Sequence, residues 1–199
     1  MNLMEAIQNS GGGVKFSAPS QNGEGEESEW LELCNIELRS GQLRIVDPLW
    51  TDPTHQGVLL ELKKGRYTID AKLMRYGQYL RVSRARVFLI GSSPRLGANI
   101  DEANSDVSVL AIFDSDEVRH LCNDDADNGA DMIGRAWSIA DTEQGDCGIA
   151  VLDAAADLRM PYVHTGFGDG GYPVYELRSD SERVGVEIEF IKPGTPYPF

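Results

Sequence analysis

Three groups of residues have types and spacing that invite a chemical reading. In the stretch HTGFGDGGYPVYEL, Gly166, Gly168 and Gly171 spell G-x-G-x-x-G, the pattern that brings backbone N–H groups up to a pyrophosphate. That pattern works only where a helix begins at the loop and points its unpaired N–H groups at the anion. Here Tyr172, Pro173, Val174 and Tyr175 follow, and a proline among β-prone neighbours opens a strand, so the phosphate cradle is excluded. Two readings remain. Asp169-Gly170 is a dipeptide suited to a type I′ turn, which would make PYVHTGFG and GYPVYEL the arms of a hairpin. Alternatively, Gly168, Gly170 and the Asp169 carboxylate form a ligand-binding surface flanked by Phe167, Tyr172 and Tyr175.

The acidic run NDDADNGADM invites a calcium reading. With Gly129 at the sixth position of a calcium loop, Ala126 occupies a ligand position and Arg135 stands where the bidentate glutamate belongs, so that register fails. A looser set of Asp124, Asp125, Asp127 and Asp131 competes with a solvated acidic loop, and no metal is assigned. The third group is Cys147 with His164, a nucleophile and base pair whose rival reading is a small buried thiol and a turn histidine. His55 and His120 have no partner at metal-ligand spacing.

Strands must position these residues. From Trp30 onward the apolar period is two: in RYTIDAKLMRYG, Tyr67, Ile69, Ala71 and Leu73 share one face and Arg66, Asp70 and Lys72 the other. RVGVEIEFI repeats the pattern, with Val184, Val186, Ile188 and Phe190 inward and Glu187 and Glu189 outward. WLELCNIEL, QLRIVD, GVLLELKK, YLRVSRARVFLI, VSVLAIF, IGRAWSIA, CGIAVLD and YPVYELR are further strands, most of them bounded by Gly, Pro, Asn or Asp. SDEVRHLC and DAAADLRM read as short helices opened by capping residues. The expected fold is mainly β, an antiparallel β-sandwich or β-roll of about ten short strands with one or two short helices. Residues 1–28 are expected to form a flexible arm, rich in Gly, Ser and Glu, with a short helix over 2–9; residues 29–199 form one β-rich domain.

A net charge of -14 excludes nucleic acid and an anionic membrane surface as the main partner, because phosphate binding needs a clustered basic face. No apolar run is long enough for a membrane span, and Cys34, Cys122 and Cys147 fit reduced thiols, so a cytoplasmic protein is expected. The charge is uneven. Between Lys63 and Arg95 stand nine of the eighteen basic residues against Asp70 alone, while Asp101 to Asp157 holds fifteen acids against Arg119 and Arg135. These are either faces that complement each other within the fold or a basic patch for an acidic partner.

SGQLRIVDPLW, KKGRYTIDAKL, YLRVSRARVFL, CGIAVLDAAAD, TGFGDGGYPVYEL and VGVEIEFI, in this order and spacing over about residues 36–191, resemble a bacterial family known as domain of unknown function 4241. The most specific pieces are Gly168-Asp169-Gly170 before Tyr172-Pro173-Val174-Tyr175, and Ser40-Gly41 before Asp47-Pro48-Leu49; Ala154-Ala155-Ala156 stands where members of that family often carry a glycine. The resemblance implies one domain and singles out Asp47, Asp153 and Asp169, each ending a strand-like run. The function expected is a non-enzymatic binding or interaction module, immunity-like or accessory, whose partner is a protein or a small ligand. No cofactor is assigned and the oligomeric state is left open. The rival is a hydrolase in which Asp47, Asp153 and Asp169 converge to hold a divalent metal or to do acid-base work.

Overall fold

The fold is that of a computed structural model, which describes residues 14–16, 25–48, 57–116, 147–153 and 158–198. The strands are β1 (Glu26–Glu27), β2 (Leu31–Leu38), β3 (Gln42–Val46), β4 (Val58–Glu61), β5 (Gly65–Tyr76), β6 (Tyr79–Leu89), β7 (Arg95–Ser105), β8 (Val109–Asp114), β9 (Cys147–Asp153), β10 (Leu158–His164), β11 (Gly170–Ser179) and β12 (Glu182–Glu189). They form two antiparallel sheets. One has seven strands in the order β1-β5-β6-β12-β11-β7, with β2 also paired to β5, and the other has five in the order β4-β3-β8-β10-β9.

The two sheets pack face to face, and the period-two patterning is the cause. Tyr67, Ile69, Ala71 and Leu73 of β5 are fully buried, as are Ala85 and Val87 of β6 and Val186 and Ile188 of β12. They share one core with Leu43 and Ile45 of β3, Leu110 and Ile112 of β8 and Val163 of β10. Burying such side chains contributes about 1.5–3 kcal/mol each. On the opposite face of the five-stranded sheet, Val46, Val109, Ala111, Phe113, Met160 and Tyr162 form a second buried cluster. All six residues of β8 are therefore buried, as its unbroken apolar run requires.

Several expectations are corrected. DAAADLRM is not helical at its described residues: Asp153 ends β9, and Leu158, which pairs with it, opens β10. The ladder to β9 overrides the alanine-rich propensity. Of SDEVRHLC, only Ser115 and Asp116 are described, as helical residues behind the Asp114 carboxylate, which accepts the Asp116 N–H at 2.9 Å. The expected arm contributes β1, whose Glu26 and Glu27 pair with Arg75 and Met74, and Phe16 bridges to Ser28. The short helix over 2–9, IGRAWSIA, the acidic run, Cys122, His55 and His120 lie outside the described residues.

The hairpin expected around Asp169-Gly170 does not form, because β10 and β11 belong to different sheets and the intervening residues cross between them. Asp169 has none of the positive φ that type I′ geometry demands. Both neighbouring strands carry a proline where one ladder has yet to begin. β10 meets β8 only from Tyr162, after Pro161, and β11 meets β12 only from Val174, after Pro173. Neither missing N–H is needed there.

Candidate functional site

The residues singled out by sequence fall at opposite ends of the fold. Asp47 is wholly buried, and its Oδ2 accepts hydrogen bonds from Asp106 N at 2.6 Å, Val107 N at 3.2 Å and Ser105 Oγ at 3.3 Å. It fixes the turn that carries the chain from β7 into β8. Asp169 is exposed, and its Oδ1 accepts from Ser108 Oγ of that same turn at 2.8 Å. Asp47 and Asp169 thus meet one turn, the first through backbone N–H groups and the second through one hydroxyl. Asp153 does not join them. It pairs with Leu158 at the start of β10, whereas Val109, beyond the turn, pairs with His164 at the end of β10. Six residues of strand, about 20 Å, separate the two places. The strand position of Asp153 is therefore far from the turn that Asp47 and Asp169 share, and no cluster of three metal-ligating side chains occurs among the described residues.

The glycines shape the crossover. Gly166 has φ +73, and a Cβ there would lie 2.8 Å from Ile191 Cγ1 and 3.1 Å from the Val82 carbonyl, so any side chain would displace the tail of the chain. The Gly168 carbonyl accepts from Thr165 Oγ1 at 2.5 Å and from the Tyr172 hydroxyl. Burial, acting first and most strongly, raises the Tyr172 pKa. Gly170, which follows Asp169, opens β11 opposite Ser105, and the half-buried Tyr175 stands between Asn99 and Glu187 in the sheet. Cys147 faces the central core and pairs with Val163; His164, one residue on, projects to the other face beside Tyr162. Alternation therefore separates this thiol from this imidazole. Burial, and after it the Glu32 carboxylate, pushes the Cys34 thiol up to about 12, which keeps it protonated and unreactive.

The basic run resolves into two parts. In the middle of the seven-stranded sheet Lys72, Arg75, Arg84 and Arg86 each have a carboxylate partner. Arg86 donates to Asp70 at 2.6 and 2.9 Å, Lys72 to Glu27 at 2.8 Å, and Arg84 reaches Glu187 at 3.0 Å, Glu189 at 3.2 Å and Glu27 at 3.3 Å. Arg75 pairs with Glu26. Trp30 covers this ladder, its ring 4.1 Å from the Arg86 guanidinium and 5.3 Å from Lys72 Nζ. Burial raises the Asp70 and Glu187 pKa values, and the partners Arg86 and Arg84 pull them back without cancelling the rise.

At one end of the same sheet the arrangement is different. Lys63, Lys64, Arg66 and Arg95 are exposed and enter none of the ion pairs among the described residues. Arg95 of β7 stands opposite Arg178 of β11, which stands opposite Arg183 of β12, so three guanidinium groups occupy one row. Like charges directly opposed in a sheet are destabilising. Among the described residues the carboxylate that pairs with this row is Glu176, 3.1 Å from Arg178 and 3.4 Å from Arg183. Desolvation pushes its pKa up, and the hydrogen bonds and charges of the two arginines more than reverse this, leaving it below the ordinary glutamate value.

A cavity of about 370 Å³ opens at this end, lined by Leu89 to Ser92 and by Ser179 to Glu182 with Val184. Topology makes it. The five residues after Leu89 must pass the ends of β12 and β11 to reach β7. That is three strand spacings, about 14 Å, against a reach of about 20 Å for six residue steps, which leaves slack. The segment therefore arches over the β11–β12 hairpin, and the space beneath is the cavity. Gly91, at φ +86, makes the bend, and Ser92 Oγ donates to the Leu89 carbonyl at 2.6 Å. Arg66 flanks one side, its carbonyl accepting Ile90 N–H at 2.9 Å; Arg178 flanks the other and donates to the Ser181 carbonyl. Leu89, Ile90 and Val184 supply the apolar part of the lining, with Ile90 45% exposed, whereas the serines, Asp180 and Glu182 make the lining more polar than apolar.

Sequence reasoning found the basic run but missed the arginine row and the cavity. One signal was available: in LRSDSERV, a two-residue hairpin at Asp180-Ser181 brings Arg178 and Arg183 across from each other. Among the described residues, no helix is long and apolar enough to cross a membrane. No protein-family model, no curated protein and no solved structure matches the chain.

Proposed function

We propose that the protein is a non-enzymatic, β-rich binding module of a bacterial cell, immunity-like or accessory in role, that engages an acidic protein partner through the basic end of its seven-stranded sheet. Membership of the uncharacterised bacterial family named above is part of the same reading. One observation carries it: among the described residues Lys63, Lys64, Arg66 and Arg95 enter no ion pair, at one end of a chain whose net charge is -14 and in which carboxylates outnumber cations 32 to 18. In such a chain an unpaired cation is easily neutralised, as the ladder in the middle of the sheet demonstrates. Exposed cations left free on rigid strands and turns favour electrostatic capture, which accelerates encounter and suits an acidic surface.

The test is capture of an identified partner from native lysate by the intact protein and by an Arg66→Glu, Arg95→Glu variant. A partner held at low salt, weakened at physiological salt and lost in the variant supports the reading. A partner held equally by both proteins contradicts it.

A further inference from the structure

Resting on that reading, we propose that the cavity beneath the β6–β7 connection is the anchor point of the interface. It receives one apolar side chain of a partner segment whose neighbouring residues are acidic and lie on the surrounding cations. Three features define this occupant. The apolar side chains of Leu89, Ile90 and Val184 within an otherwise polar lining call for one apolar group, and a cavity of about 370 Å³ lies within the usual range of ligand sites, at its small end. Arg66 on one side and the row Arg95, Arg178 and Arg183 on the other call for negative charge at the rim. Asp180 and Glu182 within the lining repel a dense polyanion at the centre. A nucleic-acid backbone or a free phosphate therefore fits poorly, whereas carboxylates spaced around an apolar residue match the charge pattern. The hydroxyls of Ser179 and Ser181 and the backbone of the hairpin are placed to bond a peptide main chain.

Asp180 and Glu182 line the cavity itself, and further charged groups stand on the elements around it. Arg66 is on β5 opposite Glu37 of β2, Arg95 on β7, Arg178 and Glu176 on β11, and Arg183 and Glu182 on β12, with Asp180 in the hairpin between the last two. An anchor of this kind concentrates binding energy in one desolvated contact and leaves the rim to set encounter rate and salt dependence.

The probe is the labelled peptide Ac-Glu-Glu-Leu-Glu-Glu-NH2, titrated at low salt against the full chain. The same peptide with serine at its centre, inorganic phosphate and a short thymidine oligonucleotide are titrated in parallel. The leucine peptide is expected to bind on the order of tenfold more tightly than the serine peptide. Ile90→Ser, at an exposed position, should erase that preference, and Arg66→Glu should weaken both peptides. Lys192→Glu, the same charge change in the tail beyond β12, should leave them unchanged. In amide NMR spectra the leucine peptide should shift Gly91 and Ser179 to Glu182.

Equal binding of the two peptides, no binding of either, tighter binding of the oligonucleotide or phosphate, or shifts confined to other strands would each overturn the cavity assignment. Loss of an acidic partner on Arg66→Glu with no effect of Ile90→Ser would overturn the anchor and leave the basic-end reading standing.

Discussion

The cations of the seven-stranded sheet live in two environments. In its middle, Arg84 shares three carboxylates, Arg86 is held between Asp70 and the rings of Trp30 and Phe88, and Lys72 meets Glu27. At its end, Lys63, Lys64, Arg66 and Arg95 enter no ion pair among the described residues, although Arg66 stands opposite Glu37 of β2, and Arg95, Arg178 and Arg183 face one another in a row. The same residue types, close in sequence, therefore do different things. Cations under Trp30 are part of how the sheet is closed off from water, whereas cations at the end contribute little to folding and are available to something else.

Breaking the ladder should have the largest effect on stability. Asp70→Ala leaves Arg86 without its carboxylate beneath Trp30, and because Arg86 keeps some contact with water the loss is expected to be about 2–3 kcal/mol, measured by urea unfolding. Replacing both partners, Asp70→Leu with Arg86→Met, should recover most of that loss, because neither charge is then stranded. Trp30→Ala removes the cover from Arg86 and Lys72 and should destabilise by about 1–2 kcal/mol. By contrast, Arg66→Glu and Arg95→Glu should change stability by no more than about 0.5 kcal/mol while abolishing partner capture.

Acid sharpens the contrast in sign. Asp70 and Glu187 have folded-state pKa values raised by burial, so their contribution favours the folded state below their unfolded pKa values and fades as pH rises through the folded ones. Glu176 is depressed, so its contribution is present above its unfolded pKa and is lost as pH falls through its folded pKa. Removing Glu176 by Glu176→Gln should therefore weaken the dependence on acid, whereas Glu187→Gln should raise stability at neutral pH relative to acid, both read from unfolding midpoints across the carboxylate range. Asp169→Asn should change stability by no more than about 1 kcal/mol and leave partner capture intact, because one exposed hydrogen bond to Ser108 is altered. A folded Asp169→Asn protein that nonetheless lost partner binding would shift the interface to the crossover.

Much of the fold was legible because period-two patterning and turn residues determine strands locally. The alternations in β5 and β12 and the unbroken apolar run of β8 all correspond to observed faces. What was not legible depended on partners distant in sequence. The polar β7 has no apolar alternation of its own and exists because β11 pairs with it; Asp101 and Asn99 oppose Val174 and Tyr175 there, with register shifts between them. Leu158 to Met160 follow an alanine run that favours helix, and only the ladder to β9 makes them strand. The expected hairpin failed for the complementary reason, since a local Asp-Gly signal says nothing about which sheet each arm joins. At the site, the basic run was visible as composition. Which cations are free was not, because the neutralising carboxylates come from β1 and β12, far along the chain.

The central claim is that the cations at the sheet end serve binding and those beneath Trp30 serve folding. Its most direct test is to measure partner capture and thermal stability side by side for the Arg66→Glu, Arg95→Glu variant. The expected result is an unfolding midpoint close to that of the unmodified protein, with capture lost at every salt concentration. Capture retained by a folded variant would contradict the claim.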